Sequence, residues 1–250
     1  MKKRIFVNIH YLEIGGAERA LLGLLSALDP YKVDVDLFVN QHTGEFMSFV
    51  PDYVNLLPEI PEYTCIERPI KDIVKEGHVG IALRRLGAKY KHWKYFRKLS
   101  KDERKNDSSI FQYVADAVDY SLPSLECFGE YDFAIAFLNP HNIVLHKVKA
   151  KKKICWIHTD YSTIHVNHDK ELKVWDGYDF IASISGDCTK AFLKTFPSLK
   201  DKIVLIENIL SPLLICRQAE EFSVEDEMPN EPGIVKILTI GRFSPPKRIE

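Results

Sequence analysis

Residues Arg4–Leu28 read RIFVNIHYLEIGGAERALLGLLSAL, and two periodicities meet inside them. Ile5-Phe6-Val7-Asn8-Ile9 is a short apolar run with β-branched residues, the pattern of a strand buried on both faces of a parallel sheet. From Ala17 onward the spacing changes. Ala17, Ala20, Leu21, Leu24, Leu25 and Leu28 recur every three or four residues, which lays one apolar stripe along a helix whose other face carries Glu18, Arg19 and Ser26. Between strand and helix sits Gly15-Gly16, where residues without a Cβ let the chain turn sharply and let a ligand approach N–H groups at a helix N-terminus. The stretch outlines an anion site, and the alternative is a tight turn with no ligand.

Outward from this unit, strand and helix patterns alternate. Val33–Val39 (VDVDLFV) predicts a second strand, a short helical piece follows the polar loop at 40–45, and a third strand is expected near Val54–Leu57. Ile110–Tyr120 predicts an amphipathic helix behind the start signal Asn106-Asp107-Ser108-Ser109. Tyr131–Leu138, Lys153–Ile157, Tyr178–Ser185 and Lys202–Ile206 predict four more strands, with a helix over Cys188–Phe196. Such βαβ alternation implies an α/β fold: a Rossmann-like parallel sheet with helices on both faces and ligands outside the C-terminal strand ends.

The totals narrow the function classes. A 250-residue chain with 46% hydrophobic and 28% charged residues is an ordinary globular composition. The formal net charge of −1 supplies no global positive field, so nucleic acid is not an expected partner of the whole molecule. The five cysteines, Cys65, Cys127, Cys155, Cys188 and Cys216, are widely spaced and odd in number, which fits reduced core thiols and a cytoplasmic address better than a disulfide framework. Nothing approaches the roughly 18 consecutive apolar residues of a membrane span. One segment is basic and aromatic together. Between 84 and 105, Arg84, Arg85, Lys89, Lys91, Lys94, Arg97, Lys98 and Lys101 interleave with Leu83, Leu86, Tyr90, Trp93, Tyr95, Phe96 and Leu99. That mixture suits a helix lying on an anionic membrane surface, hence peripheral attachment to the inner face of a membrane. A solvated helix that packs its aromatics inward is the alternative.

Near the C-terminus the composition shifts again. Glu220, Glu221, Glu225, Asp226, Glu227 and Glu231 gather without a Lys or Arg, and Pro229 and Pro232 fall among them, which reads as a solvated linker over 218–233. The domain boundaries expected are therefore 1–217, the linker at 218–233, and a new strand with its loop at 234–250 that only begins a second domain.

The Gly15-Gly16-Ala17-Glu18-Arg19 turn lacks the G-x-G-x-x-G spacing of dinucleotide folds. It resembles instead the N-terminal signature of family 4 nucleotide-sugar glycosyltransferases, the GT-B type built from two facing Rossmann-like domains. Two further stretches carry the resemblance: Gly241-Arg242-Phe243-Ser244-Pro245-Pro246-Lys247 after an apolar run, and Cys155-Trp156-Ile157-His158-Thr159-Asp160-Tyr161 at a strand end. The resemblance implies a retaining transfer of a sugar from a nucleotide-diphosphate donor to a hydroxyl acceptor, of the kind used in bacterial-type surface polysaccharide or glycolipid synthesis. It makes this chain the N-terminal, acceptor-side half of the fold plus the first donor-domain loop, inactive alone, with a Glu-x7-Glu element beyond Glu250.

By the same resemblance Gly15, Gly16, Arg242 and Lys247 are the donor or diphosphate ligands and His158 is the catalytic or sugar-orienting group. Two loop cations suit a departing diphosphate, whose charge grows as the glycosidic bond breaks. Glu18 and Asp160 are candidate acceptor contacts, and Asp160 also a candidate to orient His158. No metal site and no cofactor are expected: His158, His165 and His168 with Asp160 and Asp169 lack the usual zinc spacing, and GT-B enzymes generally need no metal. The rival reading is a non-catalytic acceptor-binding or membrane-docking half of a split transferase.

Overall fold

The structure, a computed structural model, describes residues 2–229 and 231–239. The chain divides into two compact units after Ser211.

The first unit opens with β1 (Lys3–Ile9), α1 (Gly16–Ala27), β2 (Val33–Val39) and β3 (Asn55–Leu56). Then come α2 (Pro61–Thr64), α3 (Ile70–Lys75), α4 (Val79–Phe96), α5 (Lys101–Lys105) and α6 (Ile110–Asp119). It continues through β4 (Glu130–Ala136), α7 (Asn142–Lys147), β5 (Lys149–Ile157), α8 (His168–Asp176), β6 (Phe180–Ser183), α9 (Gly186–Thr195) and β7 (Ile203–Leu205). Among the described residues these strands make one seven-stranded sheet in the order β3-β2-β1-β4-β5-β6-β7, and every neighbouring pair runs parallel. This is the doubly wound, Rossmann-like order, and it reverses direction between β1 and β4.

β1 explains why the sheet is covered on both faces: every residue from Ile5 to Ile9 is buried. Phe6 joins a ring cluster on one face, with Tyr131 edge-on at 5.2 Å and Phe38 at 6.2 Å, while Phe38 meets Tyr63 at 4.9 Å. Each such ring buries on the order of 150–250 Å² and dominates the local packing.

Two local expectations are corrected by the tertiary structure. β5 starts at Lys149 rather than Lys153, because neighbouring residues supply counter-charges to its basic first half: Lys149 to Glu130 at 3.3 Å, Lys151 to Asp132 at 2.9 Å and Lys152 to Asp179 at 2.7 Å. On α1, Glu18 is buried rather than on the outer face, and Gly23 is buried because the main chain of Ile209 crosses directly over it. Any Cβ at Gly23 would collide with the Ile209 carbonyl.

The second unit contains α10 (Pro212–Ala219), so the compositional boundary at 217 falls inside a helix. Its residues 234–239 form no strand, and Val235, Ile237 and Leu238 are exposed. A strand persists only where another strand takes its N–H and C=O groups, and the described residues of this unit contain none. Arg242 and Lys247 lie outside the described residues.

Candidate functional site

In a doubly wound sheet ligands sit beyond the carboxyl ends of the strands, where the strand order reverses. Here that point lies between β1 and β4, whose ends are tied by the Phe137 N–H donating to the Asn8 carbonyl at 3.0 Å. Three groups of polar residues gather along this edge.

The first is a relay of three buried side chains, Asn8, Asn40 and His10, that ends on the exposed Glu67. Asn8 Nδ2 donates to Asn40 Oδ1 at 2.7 Å and to the Phe38 carbonyl at 3.1 Å, and Asn40 Nδ2 meets His10 Nδ1 at 3.2 Å. An amide nitrogen only donates, so His10 Nδ1 accepts and its proton is on Nε2. That Nε2 lies 3.3 Å from Glu67 Oε2, and the hydrogen bond from His10 is the main reason the Glu67 carboxyl sits below its ordinary pKa. Every member of the chain has a partner. None of Asn8, His10, Asn40 and Glu67 stood out as a site candidate in the sequence. The available signal was polar residues closing each of two apolar strands, Asn8 within the end of β1 with His10 just after it, and Asn40 just after β2.

The second group is the glycine turn. Gly15 caps α1 from an extended backbone. Its missing Cβ makes room for the Glu18 carboxylate, which folds back onto its own backbone N–H at the start of the helix; a side chain at Gly15 would strike that carboxylate. Burial is the first cause that raises the Glu18 pKa, and the charge of Glu13 adds to it. A carboxylate here complements the positive end of the helix dipole, so the anion position expected from the sequence is held by a side chain of the protein itself. Gly16 has open space around it. Alongside, Glu13, Ile14, Gly44 and Glu45 line an open depression.

The third group lies past β4 and β5. His158 follows the last residue of β5, partly buried, with its ring 4.6 Å from Phe137. His141 follows the cis Asn139-Pro140 bond and packs 4.6 Å from Trp175, and Tyr178 Oη donates to its carbonyl. Burial lowers the pKa of His158 to about 4. Burial, and secondarily the charge of His158, lowers that of His141 to about 3. Both rings are therefore neutral at pH 7. His141 Nδ1, His158 Nε2 and Trp156 Nε1 are buried without a hydrogen-bond partner, a condition that native proteins rarely leave without a reason.

Asp160 does not orient His158. Its Oδ1 accepts from Ser162 N at 2.8 Å and Ser162 Oγ at 2.6 Å, and these bonds hold its carboxyl below the usual range. The other two histidines of that stretch go elsewhere: His165 Nε2 lies 2.9 Å from Tyr95 Oη, and His168 Nδ1 is 3.3 Å from Asp169. No three His, Cys, Asp or Glu side chains among the described residues converge as metal ligands.

Neither a family model nor a curated protein matches this chain.

The basic segment splits its aromatics between the two expectations. On α4, Tyr95 and Phe96 turn inward, whereas Val79, Leu83, Leu86, Tyr90 and Trp93 form an exposed crest at three- and four-residue spacing. Tyr90 and Trp93 stack at 5.9 Å, with Lys94 4.6 Å from the Tyr90 ring and Arg97 4.9 Å from the Trp93 ring. Arg85 is not a surface cation: it is buried, and its guanidinium donates to the carbonyls of Cys65 and Arg68. Among the described residues no helix is long and apolar enough to cross a membrane. Cys65, Cys155 and Cys188 are buried free thiols, and Cys127 and Cys216 are exposed ones.

Proposed function

We propose that this chain is the acceptor-side half of a GT-B nucleotide-sugar glycosyltransferase that retains configuration at the transferred sugar. The observation that supports the reading is the buried, unpartnered Nε2 of His158 at the same carboxyl edge that holds the α1 N-terminus. A neutral imidazole with an unfilled nitrogen is suited to hydrogen-bond a sugar hydroxyl and hold it through the reaction. Glu18 and Asp160 offer carboxylates to acceptor hydroxyls, Gly16 leaves the turn open to the donor where Glu18 covers Gly15, and Arg242 and Lys247 take the diphosphate. No step calls for a cofactor or a metal.

The α4 crest supports a membrane partner on the cytoplasmic side, because exposed rings and apolar side chains flanked by Lys94, Arg97 and Lys98 match an anionic headgroup layer. It equally favours a second reading, a non-catalytic membrane-docking half of a split transferase.

A donor screen decides between them. The chain together with the donor-side half that this reading requires, in one polypeptide or as two, is mixed with nucleotide sugars, with and without membrane lipid extract, and free nucleoside diphosphate is measured. Release from one donor, raised by lipid, is expected; release from none removes the enzyme reading. For the crest, replacing Lys94, Arg97 and Lys98 by Glu abolishes pelleting with anionic liposomes, and unchanged pelleting removes the membrane partner.

A further inference from the structure

Between α4, α6 and the loops after β4 and β5 lies a cavity of about 540 Å³, within the range of small-molecule sites. One wall is apolar and belongs mostly to α6: Ile110, Phe111, Val114 and Ala115. The opposite wall carries Arg85, and Lys89 stands one helical turn further along. Arg85 is 7% exposed and held by main-chain oxygens, which fixes its position without giving it a bonded carboxylate. Its Nε is buried with no partner at all. Lys89 is exposed and makes no ion pair among the described residues. The carboxyl on the far wall, Glu171, is occupied by Tyr161 Oη at 2.7 Å and Trp175 Nε1 at 3.3 Å, and burial raises its pKa, so its repulsion of an anion is muted.

We propose that this cavity binds an amphipathic phosphate, the anionic head between Arg85 and Lys89 and the apolar chain along the inner face of α6. Glu67 also lines the cavity, and its carboxylate, bonded to His10 at 3.3 Å, is a negative charge near the head that Arg85 and Lys89 together outweigh. Two features suggest the route of entry. Phe111 lines the cavity while 61% exposed, and Lys89 follows the crest residue Leu86 by one turn, so the mouth adjoins the membrane-facing crest. The inference deepens the transferase reading and rests on it in one respect, that the bound molecule is the acceptor: Asn139, Thr159 and Tyr161 line both this cavity and the small crevice that holds His158.

The test is a binding measurement that needs no donor and no turnover. The full chain is titrated by calorimetry with decyl phosphate below its micellar concentration, with decanol and with inorganic phosphate. Decyl phosphate binds saturably at one site, and each half-molecule binds at least about tenfold more weakly, since each forfeits one wall. Lys89→Glu weakens decyl phosphate about tenfold and leaves decanol unchanged. Phe111→Asp, at an exposed position that does not threaten the fold, weakens both decyl ligands. A parallel arm offers decyl phosphate in neutral vesicles: tighter apparent binding there than for the monomer identifies a membrane source, and equal binding a soluble one. No saturable binding, or binding indifferent to Lys89→Glu, overturns the proposal. Decyl phosphate binding by a chain that releases no nucleoside diphosphate even with its donor-side half supplied would remove the transferase reading and leave the pocket standing. Turnover without decyl phosphate binding would do the reverse.

Discussion

Two clusters of polar side chains, mostly buried, close the carboxyl edge of the same sheet, and they are built oppositely. At the ends of β1 and β2, Asn8, Asn40, His10 and Glu67 hand hydrogen bonds from one to the next. At the ends of β4 and β5, His141, His158 and Trp156 each leave a buried nitrogen open, and both imidazoles are held neutral. A filled network stabilises and fixes a loop, whereas an unfilled one costs stability that a ligand can recover. The first cluster is the scaffold of the edge and the second is where chemistry can happen.

The largest effect expected from this contrast is on stability, in the filled cluster. Asn40→Ala removes the acceptor of Asn8 and the donor to His10 together. It should lower the unfolding free energy by about 3 kcal/mol, since buried groups are left without partners. Urea unfolding at pH 7.5 measures it, and a loss below about 1 kcal/mol would mean the relay is not holding the edge.

Acid should find the other cluster. An unfolded histidine titrates near pH 6.5, while folded His158 and His141 titrate at about 4 and about 3. Between those values the unfolded state binds more protons, so stability is intact above pH 6.5 and falls as pH drops toward 4. From pH 6.5 to 5.5 the pair should cost about 2 kcal/mol, and His158→Gln should reduce that loss to about 1 kcal/mol. Urea midpoints at the two pH values, with wild type and variant side by side, check the sign and the share. An identical pH dependence would show that His158 is open to water.

The same variant sharpens the functional half of the comparison. At pH 7.5 His158→Gln should leave stability within about 1 kcal/mol, because no hydrogen bond at Nε2 is lost. In the transferase reading it should lower nucleoside diphosphate release about a hundredfold. A variant that unfolds at neutral pH would move His158 from the working cluster to the scaffold.

How much of this was legible in the sequence follows from the range of the forces involved. Strands such as Ile5–Ile9 and Val33–Val39 announce themselves because burial on both faces needs unbroken apolar residues, and α1 because one face must be apolar. The first half of β5 was hidden, since three lysines read as a loop until Glu130, Asp132 and Asp179 stand beside them. α7 and α8 were hidden for a related reason: Asn142–Lys147 is too short to show a period, His168–Asp176 is short and polar, and Trp175 of α8 is buried against His141 just before α7. At the site, position was legible and partnership was not. His158 could be placed at a strand end from local pattern alone, but that Glu18 fills the start of its own helix, or that Arg85 is drawn inside by carbonyls twenty residues away, is a product of the folded chain.

The smallest effect expected is at Asp160, and it tests whether the unfilled cluster extends to its neighbour. Its carboxylate is exposed and spends its bonds on Ser162 within one turn of chain, an arrangement worth no more than about 0.5 kcal/mol. Asn presents the same oxygen to the Ser162 N–H, so Asp160→Asn should leave the unfolding free energy within about 0.5 kcal/mol and preserve the turn. It removes the negative charge, and only that. If donor release from the variant stays within about twofold of wild type, Asp160 is a turn residue and the working cluster stops at His158. If release falls tenfold while stability holds, the charge itself meets the acceptor, because nothing the turn requires has changed.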